Sequence, residues 1–211
     1  MKITKLGHCC LIIEEAGVKI LTDPGIYSTA QNDVTDIDCI VITHEHGDHL
    51  HLDSIKTILS RNPNIKIISN SAVGAILEKE GIGFDLVEHG QEKQIGDMLI
   101  EGHGTKHAEI FEEYGQVLNT GYFFNNRLFY PGDALYNPQR PVEILAFPTP
   151  GSWSNTKESI NYVFDLKPKK CFPVHDGMFK TTSFLYNTFN LLIPKRSIEV
   201  ILPELGKSFE V

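Results

Sequence analysis

Residues 43–49 read Thr43-His44-Glu45-His46-Gly47-Asp48-His49. They follow Cys39-Ile40-Val41-Ile42-Thr43, a continuous apolar run of the kind that forms a strand covered on both faces. In extended chain residues i and i+2 point the same way, so His44 and His46 can share one metal ion. Gly47 lets the chain turn and frees Asp48 and His49 to face a second ion. Imidazole and carboxylate suit zinc and its first-row neighbours. A polar loop of surface histidines is the plain alternative, but three histidines and an aspartate in this pattern argue against it.

Working outward, the chain reads as alternating short strands and helices. Ile3 to Leu6, Cys10 to Glu14 and Val18 to Thr22 are β-branched runs, with Ala16-Gly17 as a hairpin-like turn and Asp23-Pro24-Gly25 as an abrupt stop. Gln31 to Asp36 reads as a polar loop. Leu52, Ile55, Ile58 and Leu59 recur at helical spacing. Strands are expected at Ile65 to Ile68, Phe84 to Val87, Met98 to Glu101, Gly121 to Phe124, Leu128 to Tyr130, Val142 to Phe147, Lys170 to Val174 and Ile198 to Leu202. Helices are expected at Ser71 to Glu80, after an Asn155 N-cap with Glu158 three residues later, and at Thr182 to Leu192. Two successive β-rich halves with helices suggest one domain over 1–211, two sheets with helices outside.

Composition narrows the function. The chain has 211 residues, 19 Lys+Arg against 27 Asp+Glu, and a formal charge of −8. That balance argues against a nonspecific nucleic-acid binder, which needs lysine and arginine facing phosphates. Glu14 and Glu15 end the first apolar run below signal-peptide length, and no stretch approaches the roughly 20 apolar residues of a membrane span. Cys9, Cys10, Cys39 and Cys171 form no CxxC pair and no disulfide framework; buried thiols in a reduced cytoplasm are expected.

Nine histidines are present, and further ligand candidates lie at strand ends. His103 and His107 follow the strand ending at Glu101. Asp133 sits in Tyr130-Pro131-Gly132-Asp133-Ala134, and His175 in Phe172-Pro173-Val174-His175-Asp176-Gly177. Such groups are placed accurately and still reach solvent. His51 reads as a loop or helix-start residue, His89 as a turn residue and Trp153 as core or rim packing.

The pattern His44-x-His46-x-Asp48-His49, followed by a later histidine, a Gly-Asp and a final histidine, resembles the metallo-β-lactamase superfamily. Thr22-Asp23-Pro24-Gly25, Gly7-His8, Lys106-His107-Ala108, Asn119-Thr120-Gly121-Tyr122 and Pro131-Gly132-Asp133 fall in the order of its small hydrolase branch, which is similar to the ascorbate-6-phosphate lactonase-like proteins. The resemblance implies an α+β fold, a four-layer αββα sandwich with the metals at the sheet edges. It implies that His44, His46 and His107 hold one divalent ion, that Asp48, His49 and His175 hold a second, and that Asp133 bridges both, with zinc expected and manganese or iron also accepting the set. Asp23 would orient a ligand imidazole. His8 could lie at the rim, Glu45 could contact bound water, and His103 could orient His107 or a substrate group.

The implied activity is dinuclear hydrolysis: hydroxide shared by two ions attacks a small polar ester, lactone or phosphodiester, with Asp48 and Asp133 as the catalytic carboxylates. A phosphodiesterase or nuclease on the same ions is the first rival, disfavoured by the acidic balance. A metal-binding scaffold without turnover is the second, disfavoured by the complete set of seven ligands.

Overall fold

The computed structural model describes residues 1–211. The amino-terminal half forms strands β1 (Lys2–Gly7), β2 (Cys10–Glu15), β3 (Val18–Thr22) and β4 (Cys39–Val41), helix α1 (Leu52–Arg61), strand β5 (Lys66–Ser69), helix α2 (Ser71–Lys79) and strand β6 (Asp85–Leu86). The second half forms β7 (Glu92–Ile95), β8 (Met98–His103), β9 (Gly121–Phe124), β10 (Leu128–Tyr130), β11 (Ile144–Pro148), α3 (Thr156–Leu166), β12 (Lys170–Val174), α4 (Ser183–Leu192), β13 (Glu199–Val200) and β14 (Ser208–Glu210).

Two seven-stranded sheets follow one plan, the first drawing its edge strand β14 from the second half. The first runs β14-β1-β2-β3-β4-β5-β6 and the second β13-β12-β11-β10-β9-β8-β7. An antiparallel meander, β1–β3 or β7–β10, hands over to parallel strands, β4–β6 or β11–β13. The parallel steps β4 to β5, β5 to β6, β11 to β12 and β12 to β13 are where α1, α2, α3 and α4 occur, as parallel pairing requires a crossover.

Alternation along the strands makes four layers. Leu11, Ile13, Cys39 and Val41 face Ile100, Tyr122, Phe124 and Ala146 in a core between the sheets. Their neighbours Ile12, Ile40 and Ile42 turn outward to Ile55, Ile58, Val73 and Leu77 of α1 and α2. Phe123, Leu145, Phe147 and Cys171 turn outward to Val163 and Phe189 of α3 and α4. Full burial of such side chains is worth about 1.5–3 kcal/mol each. This is the expected αββα sandwich, and the unbroken apolar run at 39–42 has its cause in β4, which is covered on both sides.

Helix ends follow local chemistry. Asn155 caps α3 in a reciprocal capping box with Glu158. Asn70 caps α2 through the Val73 amide. Two strands have no counterpart in the sequence expectations. β7 is Glu92-Lys93-Gln94-Ile95 and β14 is Ser208-Phe209-Glu210; both lie at sheet edges, where polar residues replace the apolar signature. A 3-10 turn at Ala30–Asp33 takes up the start of the loop expected at Gln31 to Asp36. No helix is long and apolar enough to cross a membrane.

Candidate metal centre

The metal-capable loop begins where β4 ends. Asp23, just past β3, locks it down: one carboxylate oxygen accepts from the Thr43 amide at 2.8 Å and the other from the Thr43 hydroxyl at 2.7 Å. The same carboxylate accepts from His49 Nδ1 at 2.7 Å and from the Tyr130 hydroxyl. Gly25 is required by crowding, since a Cβ there would fall 1.8 Å from the Asp48 carbonyl oxygen. On the opposite sheet the turn after β10 packs onto Thr43. Gly132 has φ +64°, and a Cβ would meet Thr43 Cβ at 2.8 Å. Asn119 clamps that turn, accepting from the Asp133 amide and donating to the Pro131 carbonyl.

Two groups of donors converge between the sheets. His44, His46 and His107 present nitrogens within 4.8 Å of one another. Asp48, His49 and His175 form the second group, with His8 beside them. Asp133 reaches into both: its Oδ2 is 3.9 Å from His44 Nε2, 3.4 Å from His107 Nε2 and 2.9 Å from His175 Nε2, and its Oδ1 is 3.2 Å from His49 Nε2. The seven residues of the expected ligand set therefore share one cluster, and all but His46 and Asp48 are buried.

Tautomers can be assigned from the partners. His49 gives its Nδ1 proton to Asp23 and His107 gives its Nδ1 proton to the Ala108 carbonyl at 2.6 Å. Both Nε2 atoms then carry lone pairs, and both are buried without a hydrogen-bond partner, as is Asp133 Oδ1. Lone pairs facing a carboxylate at 3.2–3.4 Å repel unless a cation or proton stands between them. These orphaned atoms fit a metal, and the donors are of the right kind for zinc, manganese or iron.

Without metal, protons take that place in the second group. Burial alone would lower His49 and His175, but Asp133 outweighs it; His49 is held well above the ordinary histidine range and His175 is pushed up to about 10. Burial also works against the charged form of Asp133 and Asp48, yet the facing histidines hold both carboxyls below the usual range. In the first group, burial pulls His44 well below 6.5 and His46 below it too.

His8 lies beneath the site rather than at its rim, only 1% exposed. Its Nδ1 accepts from the Gly177 amide at 3.0 Å, so the proton is on Nε2, which points at Asp48 Oδ2 at 3.2 Å. With both nitrogens engaged, His8 supports Asp48 in spite of its closeness to the donors. Glu45 is half-buried and makes no hydrogen bond or ion pair. His103 does not join the cluster. It ends β8 on the face opposite Met98 and Ile100, against His89, Phe123 and Phe129. Strand alternation carries that signal, since His103 shares its face with Glu101. His51 is the residue before α1, bonded to Ser54.

Two supports had no sequence signal. Cys9, buried at the β1–β2 turn, brings its sulfur within 4.8 Å of donor atoms of His49 and Asp133. Lys5, fully buried, donates to Asp176 at 2.6 Å and to the Pro173 carbonyl at 3.0 Å, and Tyr186 donates to Asp176 at 2.5 Å. Burial lowers the Lys5 ammonium, and Asp176 opposes the shift. This pair braces the turn that carries His175. All four cysteines are buried and unpaired.

Known proteins share this architecture. Residues 2–175 match the beta-lactamase superfamily domain. Protein Rv0786c of Mycobacterium tuberculosis is 30% identical over 84% of this chain and 85% of its own length. A UPF0173 metal-dependent hydrolase of Carboxydothermus hydrogenoformans is 27% identical over 83% of this chain and 84% of its own. Igni18, a metallo hydrolase from Ignicoccus hospitalis, superposes with a TM-score of 0.75 at 18% identity, covering 100% of this chain and 98% of that one.

Proposed function

The chain belongs to the metallo-β-lactamase superfamily, in its branch of small metal-dependent hydrolases, and on that premise we propose that it is a dinuclear enzyme acting on a small ester or lactone. We take residues 1–211 as one catalytic unit working in the cytoplasm. His44, His46 and His107 would hold one divalent ion and Asp48, His49 and His175 a second, with Asp133 between them and zinc as the preferred metal. The observation that carries this is the Asp133 carboxylate, which lies within 4 Å of four imidazoles drawn from both groups.

Ions bound there supply Lewis acidity and make water a nucleophile near neutral pH. The chain's own residues set the rest. Asp23 fixes the His49 ring and the Ala108 carbonyl fixes His107, so that each keeps a lone pair on Nε2. His8 donates to Asp48 Oδ2 and holds that carboxylate in place, where it can orient a water. The cleft above these groups has a volume of about 360 Å3, enough for a small molecule.

Elemental analysis tests the proposal. Protein reconstituted with excess zinc and then desalted should retain two ions per chain. Retention of one ion at most, with zinc and with manganese alike, defeats the dinuclear reading.

A further inference from the structure

The walls of the metal cleft differ from its floor. Above the ligands stand Ile26, Tyr27, Ile110, Trp153 and Met178, and no lysine or arginine lines the cleft. Ile26 is 51% exposed and Met178 39% exposed. Large apolar side chains left open beside a reacting centre are an unfilled contact surface. Trp153 stands edge-on to both His107, at 5.7 Å between ring centroids, and His175, at 5.5 Å, so its indole spans the two halves of the centre. Lys180 lines a separate cleft that shares only Tyr27 with this one.

Resting on the ester or lactone reading above, we propose that the substrate carries an uncharged aromatic or branched aliphatic group beside its scissile bond, and no phosphate or carboxylate remote from it. Hydrolysis then adds water across the acyl–oxygen bond and yields a carboxylate, an alcohol and a proton. The substituent lies between Ile26, Met178 and Trp153, exchanging water contact for apolar contact. A remote anion in that place loses hydration and finds no cationic side chain to replace it. Trp153 is thus a substrate platform, beyond the packing role expected of it.

Binding of simple carboxylates separates these cases without turnover. Calorimetry on the zinc-loaded full chain compares acetate, phenylacetate and succinate, which differ only in what lies away from the shared carboxylate. Phenylacetate should bind at least about tenfold tighter than acetate, the scale of an apolar group in a matching pocket, and succinate no tighter than acetate. Trp153→Ala, and separately Ile26→Ser with Met178→Ser, should each cut the phenylacetate-to-acetate ratio at least threefold. Phe184→Ser, at an exposed position on α4 outside the cleft, should leave the ratio alone. Equal binding of acetate and phenylacetate, tighter binding of succinate than of phenylacetate, or an unchanged ratio in both cleft variants overturns the proposal. A phenylacetate preference in a protein that hydrolyses no phenylacetate ester upholds the cleft assignment and refutes the ester hydrolase reading instead.

Discussion

The two donor groups of the candidate metal centre are built from nearly the same side chains and behave oppositely. His44, His46 and His107 contain no carboxylate of their own, and burial pulls His44 and His46 toward the neutral form. Asp48, His49 and His175 include one carboxylate and face a second, and two of the imidazoles are held protonated. The first half is a set of ready lone pairs. The second is an ion-pair network that a metal must enter by displacing protons. One fold thus sets side by side two donor groups of different electrostatic cost, built from nearly the same residue types.

The sharpest way to break the contrast is to remove what joins the halves. Asp133→Ala leaves four imidazoles without their shared counter-charge. Turnover of any ester substrate should fall at least about a thousandfold, because activation by two ions is lost. Thermal unfolding of both proteins in the metal-loaded state checks that the loss is chemical. Wild-type turnover in the variant would sink the two-ion mechanism.

Single ligand removals come next. His46→Ala should empty mainly the first half and His175→Ala mainly the second, each lowering metal content by about one ion per chain. His103→Ala should change neither, because its ring packs on Phe123 and Phe129 outside the cluster. Equal partial losses in both ligand variants would merge the halves into one site.

The gentlest test is pH. A proton on His175 is bound below about pH 10 and competes with metal. Affinity of the second half should therefore rise with pH, by about tenfold per unit between roughly pH 7 and 9 for each proton displaced. Affinity of the first half should be nearly flat there, since His44 and His46 have already lost their protons. Competition against a chelator at several pH values reads both slopes, and equal slopes would erase the distinction.

How much of this was legible depended on whether a signal was local. The run 39–49 announces a two-sided strand and a ligand loop within a few residues, and the capping box at Asn155 and Glu158 is equally local. Asp133, His107 and His175 were legible as polar groups after apolar strands. The edges β7 and β14 were not, because an edge strand needs no apolar face. Cys9 and Lys5 were hidden for another reason. Each is unremarkable among its neighbours in sequence and acquires its setting from distant residues, His49 and Asp133 for Cys9 and Asp176 for Lys5. His8 gave half a signal: its motif marked it, but only the Gly177 amide fixes which nitrogen carries the proton.

The buried ion pair behind His175 has a consequence for how the protein comes into being. Lys5 and Asp176 are 171 positions apart, so the turn bearing His175, tied from nearby by Thr149, lacks its buried ion pair until the amino terminus has packed against it. Contacts so distant in sequence must meet their loop-closure entropy before they stabilise anything. On a ribosome, the three imidazoles of the first half would all have emerged well before that encounter. The donor groups are therefore completed in order of synthesis, the one that includes His175 last.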